Sequence, residues 1–530
     1  MLARLNATDV APRYPCIAPS HAQCNYHEQP RLGNYKQALD NRPEQDKHRD
    51  AMKLAAWLLA MGMACGAAAP DCLQAAVPAR PNIIFILADD LGYGDVGCYG
   101  QEHIRTPNID RLAATGMRFT RAYAGSTVCA PSRCVLMTGL HTGHCRVRGN
   151  GGQTPLAQSL RPQDVTVASI LKKAGYTTGL FGKWGLGDAG IQEVGLPRRQ
   201  GFDCFFGYLN QTHAHNYYPT FLWRNEDKVR LRNVVTNELP SGAGVASVRV
   251  DYSPDLITDE ALAFIRRSAD KPFFLYFAPT LPHANNEARN RGLEVPDYGE
   301  YSSRDWPDPE KGFAAMVTRL DRDVGRILHL LRELNLENKT LVIFTSDNGP
   351  HKEGGRDPGF HHSSGPFRGI KRDLYEGGIR VPFIVSWPGV VPPATVSHEA
   401  VWFPDFLPTA AALAGARPPE RLDGVNLLPV LRKTTVTLDR RAPMYWEFHE
   451  GGFKQAVLYK DWKLVSLDPD LPPELYDLST DPTEKTNVAS QNRQIVSSLR
   501  IMLDRARTDS PDWPVKTRTQ RNQPTANQTR

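Results

Sequence analysis

Two acidic pairs stand at places where chemistry is easily assembled. Asp89-Asp90 follows the apolar run Ile83-Ile84-Phe85-Ile86-Leu87, and Asp347-Asn348 follows Leu341-Val342-Ile343-Phe344 far downstream. Continuous apolar runs of this length are the pattern of strands buried on both faces. In an open parallel sheet, ligands sit beyond the carboxyl ends of the strands, so pairs remote in the chain can meet there. Three carboxylates in one crevice repel one another unless a cation joins them, and hard oxygen donors select Ca2+ or Mg2+ over Zn2+. Either pair alone reads more simply as a turn, because Gly92 and Gly349 follow closely. Both pairs at strand ends together read as a metal site. A third element, Cys129-Ala130-Pro131-Ser132-Arg133, lies between a predicted strand over 117–123 and a helix predicted to begin near Ser132. A cysteine near a helix start suggests a reactive thiolate or a small buried residue. Neither suits a crevice of hard ligands, since soft thiolate matches Ca2+ poorly, and the mismatch disappears if oxygen replaces the sulfur.

These residues can converge only if the chain alternates strands with helices, and it does. Further buried-strand candidates are residues 178–181, 273–277 and 382–385, with a helix predicted over 109–115. The clearest amphipathic helix carries Phe313, Val317, Leu320, Val324, Ile327 and Leu331 at spacings of three and four. This alternation predicts an α/β fold with a large, mostly parallel sheet sandwiched by helices. After a helix over 409–416, Pro418-Pro419 leads into short runs such as Tyr445-Trp446-Glu447-Phe448 and Trp462-Lys463-Leu464-Val465, which predict a smaller C-terminal α+β unit with an antiparallel sheet. The predicted organisation is a main domain over 79–416, a C-terminal subdomain over 417–510, and a polar tail over 511–530 that does not order.

The Cys-x-Pro-x-Arg pattern of Cys129, Pro131 and Arg133 resembles the signature of the sulfatase family, within the alkaline phosphatase superfamily. The resemblance extends over roughly residues 81–490 through Gly182-Lys183-Trp184, Pro282-His283, Ser346-Asp347-Asn348-Gly349, Lys371 ahead of Glu376-Gly377-Gly378, and Glu474-Leu475-Tyr476-Asp477-Leu478. It implies that a separate formylglycine-generating enzyme oxidises Cys129 to formylglycine (3-oxoalanine), whose hydrated aldehyde attacks sulfur. It implies Asp89, Asp90, Asp347 and Asn348 as metal ligands together with the modified Cys129, and one calcium ion per chain rather than magnesium. Arg133 would hold the hydrated aldehyde, Lys183 and Lys371 would grip sulfate oxygens, and His283 would stand near the leaving oxygen. The substrate implied is a sulfated carbohydrate or an aryl sulfate.

One position departs from the pattern. Many family members carry His two residues after the lysine, where this chain reads Gly182-Lys183-Trp184-Gly185. Either His144, His213, His215 or another base replaces it, or turnover is slow. His213 and His215, at i and i+2, would line the pocket from one face if the segment were a strand, and are otherwise polar loop residues. Lys371 beside Arg368 and Arg372 has the alternative reading of a solvated basic face. The Tyr-rich stretch 216–223 would either stack on a sugar or pack in the core.

Composition excludes other classes. With 41% hydrophobic and 23% charged residues the chain is globular, and a net charge of +6 without a basic stripe gives no support for nucleic-acid binding. Met52-Lys53 and the apolar residues after them, ending in Gly66-Ala67-Ala68-Ala69, form a signal-peptide-like segment over 52–78, too short for a stable membrane span. Residues 1–51 read as a disordered or mis-assigned leader. Export to a periplasm or outside the cell is expected, and Gly62-Met63-Ala64-Cys65 fits a lipoprotein box poorly. Of the remaining cysteines, Cys98, Cys134, Cys145 and Cys204 read as buried thiols, with a Cys134–Cys145 pair conceivable. Two rival readings stay open: a phosphonate or phosphate ester hydrolase of the same superfamily, and a non-catalytic sugar-binding relative.

Overall fold

The computed structural model describes residues 80–190 and 193–515. The leader, the signal-like segment and residues 516–530 of the tail lie outside these. The strands are β1 (Asn82–Ala88), β2 (Met117–Tyr123), β3 (Thr177–Lys183), β4 (Cys204–Tyr208), β5 (Phe221–Arg224), β6 (Asp227–Arg230), β7 (Val234–Val235), β8 (Ala246–Val248), β9 (Phe273–Ala278), β10 (Thr340–Ser346), β11 (Phe383–Ser386) and β12 (Thr395–Trp402), followed by β13 (Met444–Phe448), β14 (Lys454–Tyr459), β15 (Trp462–Ser466) and β16 (Glu474–Asp477). Ten of them form one sheet in the order β12-β2-β11-β10-β1-β9-β3-β4-β5-β6. Its centre, β10-β1-β9-β3-β4, is parallel, and antiparallel pairing enters through β11 on one side and β5 on the other.

The strands are apolar throughout because both faces are covered. Ile83, Phe85 and Leu87 belong to one core and Ile84, Ile86 and Ala88 to the other, as the two-residue period requires. On the first face lie α2 (Cys129–Thr138), α3 (Val167–Lys173) and α7 (Phe406–Ala414); on the second lie α1 (Pro107–Ala114), α4 (Ser253–Arg267) and α5 (Asp308–Glu333). Helix α5 buries the predicted stripe from Phe313 to Leu331, opens with Asp308 and Glu310 and is followed by Asn335 at positive φ. Short helices α6 (Glu376–Ile379) and α8 (Leu428–Leu431) complete the main unit.

Helix α2 starts at Cys129, three residues before the expected place. Val128 is extended (φ −147°, ψ 162°) and serves as N-cap, so Pro131, which lacks an N–H, falls in the first turn where no such donor is used. Asn150 Oδ1 accepts from the Ala130 N–H at 3.0 Å, satisfying one of the free donors of that turn.

Strands β13 to β16 form the separate antiparallel sheet expected near the C-terminus. One face, with Tyr445, Val457, Leu464 and Leu475, packs on Leu499 and Leu503 of α9 (Arg493–Arg505). The other, with Trp446 and Phe448, packs on Val128, Leu374, Tyr375 and Ile379, the segments that flank Cys129 and follow Lys371. Buried ion pairs weld the two sheets. Lys463 Nζ reaches Glu376 Oε1 at 2.9 Å and Glu484 Oε1 at 2.8 Å, and the Tyr123 hydroxyl donates to Glu376 Oε2. Glu447 accepts from Arg148 at 3.0 Å, Arg507 at 3.1 Å and the Tyr445 hydroxyl at 2.8 Å.

Two expectations are corrected. The tail is ordered at its start, because Trp513 is buried and its Nε1 donates to the Arg146 carbonyl at 2.9 Å. Cys98 and Cys204 are free thiols but only partly buried. Cys134 and Cys145 are the buried free thiols expected, with the Cys145 Sγ donating to the Val147 carbonyl. Among the described residues no helix is long and apolar enough to cross a membrane.

Burial opposes the charge on Glu447, but the bond to His449 and the Arg148 guanidinium outweigh it and hold the carboxyl down to about 2, against 4.5 ordinarily. A depressed carboxyl stabilises the fold fully above its unfolded value and loses that contribution as pH falls through the folded one, here an effect of about 3 kcal/mol. Glu447→Gln is therefore expected to lower the unfolding free energy in urea by about 3 kcal/mol at pH 7. The gap to the unmodified protein should close between pH 4.5 and 2.

Candidate active site

The four central strands end on one line, and each delivers a polar group just beyond its carboxyl end. Asp89 and Asp90 follow β1, Asp347 and Asn348 follow β10, Lys183 closes β3, and the loop after β9 carries His283. Strand β2 runs in the same direction as β10, since each is antiparallel to the β11 between them, so the chain leaving it brings Cys129 to the same edge. The backbone locks the two acidic pairs together. The Asp347 N–H donates to the Ala88 carbonyl at 3.1 Å, the Asp90 N–H to Asp347 Oδ1 at 3.0 Å, and the Leu91 N–H to Ser346 Oγ at 2.9 Å. Asp90 takes a positive φ of 65°, a conformation that Asp tolerates better than bulky residues.

Three cations face these carboxylates, all buried. Arg133, one helical turn beyond Cys129, donates to Asp347 Oδ2 through Nε (3.1 Å) and Nη2 (2.8 Å) and to the Lys183 carbonyl through Nη1 (2.8 Å). Lys183 Nζ lies 2.7 Å from Asp89 Oδ2 and Lys371 Nζ 2.7 Å from Asp90 Oδ2. Lys371 also touches Glu353 Oε2 at 2.9 Å and His283 Nε2 at 3.3 Å, so the alternative of a solvated basic face does not apply to it. His283 Nδ1 bonds the Ala284 carbonyl at 2.7 Å, which leaves Nε2 as the atom aimed at Lys371. Burial and the neighbouring Lys371 pull this imidazole down to about 3.

The carboxylates do not titrate alike. Burial and the charge of Asp89 push Asp347 up to about 7 despite Arg133. Burial also opposes Asp89 and Asp90, but Lys183 and Arg133 hold the first, and Lys371 and His283 the second, well below the ordinary range. Two oxygens in this buried cluster have no hydrogen-bond partner: Asn348 Oδ1, and Asp89 Oδ1, which Arg133 Nη2 approaches to 3.4 Å. One ligand atom each from Asp89, Asp90, Cys129 and His283 lie within 4.8 Å of one another. Crowded carboxylates with unsatisfied oxygens fit a hard divalent cation, which would relieve the repulsion felt at Asp347. The sulfur does not fit it. Burial pushes the Cys129 thiol well up, with Lys183 only partly opposing, so it stays protonated and offers a soft donor in a hard oxygen set.

The histidines separate. Residues His213–His215 form a 3-10 turn rather than a strand, so the two rings do not share a face. His213 is buried against Phe221 and Tyr208, whereas His215 stacks on His283 with centroids 5.0 Å apart and pairs with Glu287 at 3.2 Å. His144 binds Asp423 at 2.9 Å in the segment that follows the C-terminal end of α2 and stacks on His141. Tyr217 and Tyr218 are core residues, and the Tyr217 hydroxyl donates to the Thr280 carbonyl at 2.8 Å under the His283 loop. The sequence reading missed His351 and Glu353. His351 is buried, with Nε2 on the Pro282 carbonyl at 3.1 Å and Nδ1 accepting from the Glu353 N–H at 3.0 Å. Their only signal was a His-x-Glu just after Asp347-Asn348-Gly349.

Comparisons with known proteins agree with this geometry. The family model described as Sulfatase matches residues 81–416, and one described as N-sulphoglucosamine sulphohydrolase, C-terminal, matches residues 368–509. The chain is 32% identical to the N-acetylgalactosamine-6-O-sulfatase of Bacteroides thetaiotaomicron over 81% of its own length and 93% of that protein. It is 34% identical to arylsulfatase A of Homo sapiens over 82% of its length and 89% of that protein. The crystal structure of Ps i-CgsB in complex with k-i-k-neocarrahexaose superposes with a TM-score of 0.68 at 30% identity, covering 80% of this chain and 92% of that one.

Loading the carboxylate cluster should therefore stabilise the fold. Calcium at a hundredfold excess over its dissociation constant is expected to add about 2.7 kcal/mol, read as a higher melting temperature than in chelator. Asp347→Asn should remove that calcium-dependent rise.

Proposed function

We propose how this chain, which belongs to the sulfatase family and is a sulfuric ester hydrolase, carries out its reaction and on what. The observation that carries the reading is the convergence of Asp89, Asp90, Asp347, Asn348, Arg133, Lys183, His283 and Lys371 around residue 129 in one buried cluster. The substrate is a sulfated carbohydrate or an aryl sulfate, in keeping with what the relatives' names state of them.

Asp89, Asp90, Asp347 and Asn348 would hold the divalent cation, calcium by the hardness and number of their oxygens, which when bound supplies Lewis-acid polarisation of the sulfuryl group. Residue 129, oxidised to formylglycine by a generating enzyme during maturation, would supply an oxygen nucleophile at the one position where the unmodified side chain is a protonated thiol. Arg133, anchored on Asp347 and on the Lys183 carbonyl, holds the edge of the cleft rigid and offsets its negative charge. Lys183 and Lys371 are compact ammonium donors placed on either side of the carboxylates, able to stabilise charge on the transferring sulfuryl oxygens. The Lys371–His283 pair keeps a proton at 3.3 Å between Nζ and Nε2, on the side where the departing oxygen needs one. His215, stacked on His283, restrains that ring. The signal-like segment over 52–78 supports export as the compartment of action.

Mass spectrometry of the peptide containing Cys129 from material made with a generating enzyme should show a loss of about 18 Da, the exchange of thiol for aldehyde. Lys183→Ala and Lys371→Ala should each lower kcat/KM on an aryl sulfate by about a hundredfold or more. Faster turnover of phosphate than of sulfate esters across a panel would overturn the substrate class, and an intact thiol in active enzyme would overturn the nucleophile.

A further inference from the structure

The loop after Lys183 contains a gap that another side chain fills. Gly185 has a φ of +78°, and a Cβ built on it would lie 2.1 Å from Nε2 of Gln211. The Gln211 amide thus occupies the space that any side chain at position 185 would need. The placement is set by the sheet: the register of β3 against β4 continues past the strand ends, with the Trp184 N–H donating to the Tyr208 carbonyl and the Gly185 N–H to the Leu209 carbonyl, both at 2.9 Å. Gln211 follows two residues later, and four residues beyond it His215 stacks on His283. The Gln211 segment therefore runs from the Lys183 loop to the His283 ring.

Gln211 Nε2 is buried and has no hydrogen-bond partner. A buried amide donor without an acceptor is costly, and one in the segment that joins the Lys183 loop to the His283 ring marks a place that a ligand oxygen completes. An NH2 group can only donate, and it does not titrate in the working range of an enzyme. A sulfate ester presents three acceptor oxygens. The geometry points to Gln211 as a substrate-binding residue whose Nε2 donates to a sulfuryl oxygen, in the position that Gly185 leaves empty. The histidine of the family pattern is then replaced by a neutral donor from the loop after the neighbouring strand β4, and the position steadies charge without moving a proton. This rests on the sulfate-ester reading of the site.

The test is Gln211→Met, which keeps the length and bulk over Gly185 and removes the donor, with folding followed by melting temperature. Two readouts are taken: kcat/KM on an aryl sulfate, and affinity for inorganic sulfate by calorimetry. The expected result is a loss of about tenfold or more in both, at an unchanged melting temperature and with the shape of the pH–rate profile preserved, because an amide does not titrate. Retention of both within about twofold would make Gln211 a space filler and overturn the assignment, as would a displaced limb of the pH profile. If the unmodified protein turned over no sulfate ester while sulfate affinity still fell in Gln211→Met, the catalytic reading would fail and the binding assignment would stand.

Discussion

Three carboxylates packed at adjacent strand ends create an electrostatic problem around which the molecule is arranged. The hydrogen bond from the Asp90 N–H to Asp347 Oδ1 prevents the two pairs from moving apart, so their repulsion cannot be relaxed by distance. It is relieved by charge. Arg133, Lys183 and Lys371 each contact a different carboxylate within hydrogen-bond range, and each comes from a separate segment of the chain. In a buried setting such pairs are stabilising only when their geometry is held, since the removal of one partner leaves a desolvated charge.

That requirement explains the support behind the loops. Cys129 and Lys371 are not carried by central strands, and without backing their positions would be those of mobile loops. The C-terminal sheet provides the backing: Trp446 packs on Tyr123 and donates to the Ala124 carbonyl at 2.9 Å, and Lys463 is locked to Glu376, five residues after Lys371. The smaller sheet thus acts on the chemistry at one remove, by holding the segments that enter and leave the cluster.

The site also separates two kinds of polar group. Lysines and carboxylates compensate one another in pairs, whereas Asp89 Oδ1 and Asn348 Oδ1 are left without hydrogen-bond partners. Orphan acceptors in a buried, acidic setting are complementary to a cation. A sugar-binding surface without chemistry has no need of buried, unpaired oxygens beside a cysteine.

Much of this could be read in advance because it is local. Apolar runs ended by acidic pairs, a Cys-x-Pro-x-Arg pattern and a three-and-four periodicity are properties of neighbouring residues, and they specified buried strands, amphipathic helices and the hard donor set. The start of α2 at Cys129, the ordering of Trp513 and the turn at His213–His215 were not local, since each depends on a remote partner such as Asn150, Arg146 or His283. Glu353 and Gln211 are ordinary polar residues by sequence, and they acquire meaning only from what stands opposite them across a strand register or an ion pair. The sequence by itself determined which groups carry charge and which offer hard or soft donor atoms. Only the tertiary structure decided which of them meet, because contact across a parallel sheet is set by strand order and register, which no short stretch of residues encodes.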